Sequence, residues 1–405
     1  MLGVSGGIAA YKAAQLARDL TQLGAEVDVV MTRAAHDFIG PITFEALTGR
    51  PVHSELIQTG HALDHIRLAR SADLVCVAPA TADLIARAAT GRSDDLLTAI
   101  LLATEAPVLI CPAMNDRMWS HPQTQANAAR LRDELGYTIV GPAVGPLAYG
   151  EGEGAGRLVE PELIIEQIGR ALEVGGGRGS GRERSQSPFA GKKIVVTAGP
   201  TREPVDPVRV LSNRSSGKMG FALAQAAWRR GAEVVLIAGP TAVAPPPGPE
   251  LRRIETAAEM EAAVRAALPD ADALIMAAAV ADFRPAAPAG EKIKKSQAPS
   301  SIELEPAPDV LRATRDARPP GMVAVGFALE TENAREHARQ KLESKGLDLI
   351  VLNEASKPGA GFEVDTNQVV IIDREGAAEE LPLLSKDEVA EVILDRLATL
   401  FPDVP

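Results

Sequence analysis

Residues 175–190 read GGGRGSGRERSQSPFA. The stretch is rich in Gly, Ser and Arg, has one apolar aromatic near its end, and offers nothing a core would bury. Such a composition is expected to stay flexible and solvated. On each side of it the chain makes the same opening move. To the left, LGVSGGIAAYK (2–12) runs into a helix and on to LGAEVDVVMT (23–32). To the right, KIVVTAGPT (193–201) leads, after a longer loop, to SSGKMGFALAQAAWRRGAEVVLIAGP (215–240). Both read strand, Gly-rich turn, helix, GAEV and second strand, the start of a doubly wound nucleotide-binding domain. Further in, SADLVCVAPAT (71–81) is answered by DADALIMAAAV (270–280). Any two α/β domains share patterns of this kind, so GAEV alone would not decide the matter. The reading is α/β, with two doubly wound (Rossmann-like or flavodoxin-like) three-layer domains. They are placed at 1–174 and 191–405, joined by a flexible linker at 175–190, and each is expected to bind a phosphate-bearing ligand.

Composition agrees. At about 150 residues per domain, 405 residues suggest two or three domains. With 46% hydrophobic residues and a mean hydropathy near zero, a soluble globular protein with ample core is expected. The net charge of −12 argues against non-specific nucleic-acid binding and against docking on anionic membranes. No apolar run approaches the roughly 18 residues of a membrane span, and the first residues lack the basic flank and cleavage site of a signal peptide. Cys76 and Cys111 sit in apolar strands and read as reduced core thiols. A cytoplasmic location is expected. The first strand, 2–5, is short for its kind, from a ragged edge or a true start lying upstream.

Ser5-Gly6-Gly7 closes that strand, and 8–23 reads as a helix with Ala9, Ala13, Leu16, Ala17 and Leu20 on one face. Bare glycines at a helix N-terminus let backbone N–H groups approach a phosphate. The pattern is not GxGxxG, and the second strand ends in Thr32 rather than the acid that would hold an NAD ribose, so an NAD(P) oxidoreductase is disfavoured. A single phosphate, as in FMN, fits better; a tight turn with no ligand is the alternative. His65, in HALDHIRL (61–68), precedes a buried strand at 74–78 that ends in Ala78-Pro79-Ala80-Thr81. Alone, it is either a base near the sheet edge or a surface or capping residue. The strand at 107–110 ends in Pro112-Ala113-Met114-Asn115, where Asn115 is either a ligand-edge amide or a helix cap. GPAVGPLAYGEGEGAG (141–156) reads as a mobile Gly-rich loop of the kind that covers active sites.

In the second half, Ser212-Asn213-Arg214-Ser215-Ser216-Gly217-Lys218 is a poor P-loop: the leading Gly is missing and Met219 replaces Ser/Thr. Two hydroxyls and a Gly still open the helix at 217–230, a natural phosphate site, with an ordinary capped start as the alternative. The strand at 273–278 leads to Ala279-Val280-Ala281-Asp282, and Asp282 could hold Mg²⁺ on a triphosphate. Lys292, Lys294 and Lys295 follow in a Pro/Ala-rich loop, either a solvated face or neutralising charge for a triphosphate. Lys341 and Lys345 lie one turn apart on a helix, where alone they would be surface charges.

Here a resemblance becomes specific. SGGIAAYK, HIRLARSADLVCVAPATADLIARAATG, LLATEAPVLICPAMN and GEGAGRL, in this order, resemble the flavin-dependent decarboxylases that act on phosphopantothenoylcysteine. AGPTREPVDPVRVLSNRSSGKMGFALA, AAAVADFRP, EKIKK and VGFALET resemble phosphopantothenate–cysteine ligase. Together they resemble the fused bifunctional family of coenzyme A biosynthesis, over nearly the whole chain apart from the linker. The resemblance implies FMN in the first half, oxidising the cysteinyl thiol so that CO₂ can leave and then returning the electrons. His65 matches the base, Asn115 the amide that holds the substrate carboxylate, and Ser5, Gly6, Gly7, Thr32, Ala78, Thr81 and Ser93 fall where the family contacts FMN. One departure stands out: Tyr149 occupies the place of the loop cysteine that protonates the enethiolate.

For the second half the resemblance implies CTP, Mg²⁺, 4′-phosphopantothenate and cysteine as reactants, through an acyl-cytidylate. Arg209, Asn213, Ala279 and Lys292 match residues acting on that intermediate. Ala277, Ala278, Asp282, Lys292, Pro308, Asp309, Val310, Phe327, Lys341 and Lys345 match contacts to CTP or, for Asp282, its metal. It also implies a homo-oligomer: a trimeric flavin half and a dimeric ligase half, together a dodecamer, with small molecules rather than nucleic acid or membrane as partners. Because of Tyr149, a ligase carrying a non-catalytic, regulatory FMN-binding half remains the alternative.

Overall fold

The computed structural model describes residues 1–57, 63–150, 152–175, 187–294, 301–330, 334–354 and 364–401. Two compact units divide the chain, Met1–Ser185 and Gln186–Pro405. In the first, the strands Val75–Ala80 and Val108–Pro112 are buried at every position, as continuous apolar runs must be when a parallel sheet is covered on both faces. Counted in chain order, the six strands lie 3-2-1-4-5-6, all parallel: Val52–His53, Val29–Met31, Leu2–Val4, Val75–Ala80, Val108–Pro112, Thr138–Ile139. This is the dinucleotide-fold order, with its switch point between the first and fourth strands.

One face is covered by the helices Ala10–Gln22 and Pro161–Gly175, whose Ala13, Leu16, Ala17, Ile164 and Ile168 share a core with Leu2, Val4 and Cys76. The other is covered by Asp64–Ser71, Ala82–Ala89, Leu96–Ala103 and Pro122–Asp133. The first helix begins two residues later than expected, because Gly7 accepts a turn hydrogen bond from the Ala10 N–H and Ile8 stays exposed. Cys76 and Cys111 are buried and unlinked, and the hydrogen bond from one thiol to the other, with burial, pushes the Cys111 thiol up.

The expected mobile loop at 141–156 is instead built around an antiparallel hairpin, Ala143–Pro146 with Glu153–Arg157. Two of its glycines, Gly154 and Gly156, serve close approach, while Gly150 and Gly152 at the tip have open space beside them. The Met114 N–H donates to the Gly156 carbonyl at 2.9 Å, and a Cβ on Gly156 would lie 2.1 Å from the Met114 oxygen.

The second unit repeats the plan. Its main sheet runs 3-2-1-4-5-6-7-8 in its own chain order: Glu250–Arg253, Glu233–Ala238, Lys193–Ala198, Ala273–Met276, Val323–Glu330, Leu349–Glu354, Val369–Asp373, Ala378–Glu380. The first six are parallel and the last two add an antiparallel edge. Lys218–Arg229 and Lys386–Ala398 pack on one face, Ala257–Ala267 and Ala334–Lys345 on the other. Each unit is a three-layer, doubly wound α/β structure. Among the described residues no helix is long and apolar enough to cross a membrane.

One part of the linker reading is corrected. Phe189 is fully buried in the second unit's core, edge-on to Phe401 at 5.6 Å with the Arg230 guanidinium over its ring. The end of 175–190 therefore does carry something a core buries, and the second unit's packing starts before residue 191. Truncating a buried aromatic typically costs about 3–5 kcal/mol. Phe189→Ala is therefore expected to destabilise the second unit by that order in chemical denaturation. Hydrogen exchange read unit by unit should show unchanged protection of the strand Val75–Ala80.

Candidate active sites

At the first unit's switch point the Ser5 hydroxyl donates to the Pro79 carbonyl at 2.8 Å and accepts from the Thr81 N–H at 3.0 Å. Ser5 is 1% exposed, so its hydroxyl ties the end of the first strand to the end of the fourth rather than facing solvent. Gly6 is required by close approach, since a Cβ there would lie 2.5 Å from that of Ala34. Ala78 is buried in the fourth strand, and Thr81 caps the helix Ala82–Ala89 by accepting from the Leu84 N–H. Gly7 is open, with only a Thr81 methyl within 4 Å of the space a Cβ would take. Thr32 ends the second strand with its hydroxyl buried and without a hydrogen-bond partner. A buried orphan hydroxyl beside an open glycine turn and the N-terminus of a 13-residue helix suits a ligand that brings phosphate and hydroxyl groups.

His65 and Ser93 lie in a different place. With Leu56, Ile57, Ala99, Leu102 and Ala103 they line an open cleft of about 400 Å³. The His65 Nδ1 is buried with no partner, which is costly for an imidazole unless something else engages it. Asn115 answers its two readings together. Its Oδ1 accepts from the Arg117 N–H at 2.9 Å and caps Asp116–Ser120, while its amide nitrogen makes no hydrogen bond among the described residues. The hairpin sits on this segment, where Gly154 and Gly156 leave no room for a side chain against Asp116 and Met114. Tyr149 stands at the hairpin tip, fully exposed. Within this chain Tyr149 is not brought onto Asn115, nor is the His65 cleft merged with the turn at Ser5–Gly7.

The second unit gathers its expected residues far more completely. One cavity of about 530 Å³ is lined by Asn213, residues 277–282, Pro308-Asp309-Val310, Phe327, Lys341 and Lys345. Its floor is again fixed by hydroxyls at the end of a first strand: Thr197 accepts from the Ala278 N–H at 3.1 Å and Thr201 from the Ala281 N–H at 2.9 Å. The Asn213 amide donates to the Val280 carbonyl at 2.9 Å. Gly217 adopts φ +79° where the helix Lys218–Arg229 begins, a left-handed turn that glycine enters without strain. Lys341 donates to the Phe327 carbonyl at 2.8 Å, and Lys345 pairs with Asp309 at 3.1 Å, so neither is a free surface charge. Asp282 is exposed at the rim. Sequence reasoning missed Asn353, Asn367 and Lys386, which also line the cavity. Burial, then the nearby Lys218 charge, pulls the Lys386 ammonium below its ordinary value against the opposing Asp365.

Arg209 and Lys292 are not among the lining residues, and Lys294 is exposed; Lys295 lies outside the described residues. Arg209 and the Lys292 loop meet instead at a buried carboxylate that sequence reasoning also missed. Asp206, 2% exposed, accepts from the backbone N–H groups of Val208, Arg209 and Ile293 and pairs with the Arg209 guanidinium at 2.5 Å. Arg209 in turn donates to the Ile293 carbonyl, and the Ala289 N–H donates to Val205. This knot fixes the segment on which Lys292 is carried.

Burial pushes the Asp206 carboxyl up, but the N–H donors and the Arg209 charge outweigh it and hold it below the usual range. A depressed folded value means the knot contributes stability above the unfolded value, near 3.9 for Asp, and loses it as pH falls through the lower folded value. Slow exchange of the Ile293 amide is therefore expected at pH 5 and should disappear well below pH 4. Asp206→Asn should lack that protection at either pH; an equally protected Ile293 in the variant would refute the knot.

Comparison with known proteins matches these two units to two families. Residues 1–173 match the Flavoprotein family and residues 189–400 the DNA/pantothenate metabolism flavoprotein C-terminal domain family. The chain is 48% identical to the coenzyme A biosynthesis bifunctional protein CoaBC of Mycolicibacterium smegmatis, over 98% of this chain and 96% of that protein. It is 43% identical to the CoaBC of Bacillus subtilis, over 99% and 96%. The crystal structure of a CoaBC C-terminal domain aligns at 39% identity over 53% of this chain and 98% of that one, with a TM-score of 0.46. A full-length match at this identity, with both family domains in order, establishes that the chain belongs to the family of bifunctional coenzyme A biosynthesis proteins.

Proposed function

We propose that the chain carries both activities of that family: CTP-dependent ligation of cysteine to 4′-phosphopantothenate in the second unit, and FMN-dependent decarboxylation of the product to 4′-phosphopantetheine in the first. The observation that carries this reading is the convergence of Asn213, residues 277–282, Pro308–Val310, Phe327, Lys341 and Lys345 on one cavity. Its volume, about 530 Å³, suits a nucleotide-sized ligand.

In the ligase half the substrate carboxylate forms a bond to the α-phosphorus of CTP and the bond to pyrophosphate breaks. Cysteine's amine then displaces CMP from the acyl carbon and gives up a proton. Lys341 and Lys345 offset triphosphate charge, and Lys292 offsets the charge that develops during acyl transfer. A nucleotide Mg²⁺ commonly needs only one or two protein carboxylates beside the phosphates, and Asp282 at the rim suits that part. Asn213 and the backbone at 277–279 shape the floor.

In the decarboxylase half Ser5, Gly6, Gly7, Thr32, Ala78, Thr81 and Ser93 are proposed to hold FMN. The orphan Thr32 hydroxyl and the open Gly7 turn support this fit. FMN supplies two-electron redox chemistry, a task no side chain here performs. Asn115 would orient the substrate carboxylate through its amide nitrogen, His65 would move a proton as base, and Tyr149 would return one as acid.

His65 and the Ser5–Gly7 turn are not merged within one chain, and exposed Ile57 and Leu102 line the His65 cleft. Both support a homo-oligomer of the first half; a trimeric first half, a dimeric second half and a dodecamer overall are proposed from the family resemblance alone. A cytoplasmic location completes the reading, with the decarboxylase in the first unit and the ligase in the second, whose packing begins by Phe189. The fully exposed Tyr149 keeps one alternative alive, a ligase with a non-catalytic FMN half.

The deciding experiment is a coupled assay with CTP, Mg²⁺, cysteine and 4′-phosphopantothenate, products being resolved by mass. Lys292→Gln should slow ligation by roughly 100-fold or more and leave decarboxylation unchanged. His65→Asn should keep its flavin absorbance while releasing no CO₂; loss of the flavin would make His65 structural. Tyr149→Phe is expected to decarboxylate but release the unsaturated thiol with reduced flavin left behind. A near-normal yield of the saturated aminothiol from that variant would remove Tyr149 as the acid.

A further inference from the structure

The helix Ala334–Lys345 supplies two of the lysines that line the second unit's cavity, Lys341 and Lys345, and how it ends decides where Lys345 stands. Gly346 turns left-handed at φ +59°, its N–H donates to the Glu343 carbonyl at 3.2 Å, and the Leu347 N–H donates to Leu342 at 2.9 Å. This Schellman turn satisfies two of the last carbonyls and leaves those of residues 344–346. Two arginines that follow the short helix Val310–Ala313 take them. Arg315 donates to the Ser344 carbonyl at 3.4 Å, and Arg318 donates to those of Lys345 at 3.1 Å and Gly346 at 2.9 Å.

Arg318 does more than cap a helix. Its other amino group donates to the Leu311 carbonyl at 2.6 Å. Two residues before Leu311, one Asp309 oxygen accepts from the Arg312 N–H, and the other pairs with the Lys345 ammonium at 3.1 Å. The two segments are therefore joined twice: at the cavity by a lysine–aspartate pair, and away from its lining by a guanidinium fork. Among the described residues no carboxylate accepts a hydrogen bond from Arg318, and its Nε is sealed without a partner. Burial, then the Arg315 charge, pushes the guanidinium below its ordinary value against the opposing Asp348. A part-buried cation answered only by carbonyls is poorly explained by stability. What a planar fork supplies is a fixed spacing between the backbones it bridges.

We propose that Arg318 is a positioning residue for nucleotide binding, holding the end of the helix that carries Lys341 and Lys345 at a fixed spacing from residues 308–311. This rests on reading the second unit as the ligase. A triphosphate competes with Asp309 for the Lys345 ammonium, so the link at the cavity loosens as the ligand enters. The Arg318 link ends on neutral carbonyls outside the lining, and it keeps the two segments in register while Lys345 changes partner.

The test measures ligase rates on the full chain with CTP, 4′-phosphopantothenate and cysteine varied in turn, beside calorimetry of CTP binding. Loss of the charged contacts in Arg318→Met should raise both KM and Kd for CTP about tenfold, with the KM for cysteine and the kcat at saturating CTP unchanged. Arg318→Lys keeps the charge without the fork and should recover only part of that affinity. Arg315→Met, which loses a contact to the helix end alone, should bind CTP as wild type does. Unchanged CTP constants in Arg318→Met overturn the proposal, as does a lowered unfolding midpoint with CTP affinity intact. Full recovery in Arg318→Lys, or an equal loss in Arg315→Met, would put charge rather than position at work and overturn it as well. Wild type that binds CTP but forms no cysteine conjugate would sink the ligase reading and leave the CTP affinities to decide Arg318.

Discussion

A side-chain hydroxyl at the end of a first strand, capturing backbone from the end of the fourth, is the constraint on which both candidate sites depend. Ser5 does this with Pro79 and Thr81, and Thr197 and Thr201 do it with Ala278 and Ala281. At a switch point the adjacent parallel strands send their connections to opposite faces of the sheet, and the crevice between them exposes backbone groups that no ladder satisfies. A short hydroxyl side chain closes that account without filling the crevice. The ligand-facing backbone is thereby rigid before anything binds, so little ordering remains to be done on binding.

The two crevices solve opposite electrostatic problems. The first is made of small uncharged groups and borrows its field from a helix N-terminus. The second is lined by Arg214, Lys218, Lys341, Lys345 and Lys386 against Asp282 and Asp309, within a chain of net charge −12. Concentrating cations there against the global sign gives a local potential that attracts polyanionic nucleotides while the rest of the surface repels nucleic acid. The ion pair Lys345–Asp309 keeps one cation in place without cancelling the others.

Much of this was legible in the sequence because the core strands are short apolar runs bounded by Gly, Pro and Thr. The strands at Val75–Ala80, Val108–Pro112 and Lys193–Ala198 differ from expectation only at their ends. The motif residues of the ligase half were legible for the same reason: 277–282 and 308–310 lie at strand ends and turns, where sequence position fixes spatial position. The hairpin at Ala143–Arg157 was not, because glycine reads as mobility unless the surface it lies against is known. Phe189 looked like linker because its partner, Phe401, is more than 200 residues away. Asp206 and Ile293 are separated by 87 residues, and Asn353, Asn367 and Lys386 come from three different segments. Local pattern carries no information on such meetings.

The two polar clusters that sequence reasoning missed differ in a way that separates architecture from function. Asp206 is buried and completely answered: three backbone N–H groups and a guanidinium converge on one carboxylate. A buried charge satisfied in this way is stable as it stands, and its effect is to hold a segment still. Asn353 and Asn367 differ: the Oδ1 of each is sealed from solvent without a hydrogen-bond partner. A fold does not keep such groups for stability, since apolar residues of similar volume would serve better. The stability forgone there is recovered only when something outside the fold donates to those oxygens, and that separates a charge kept for architecture from a polar group kept for contact.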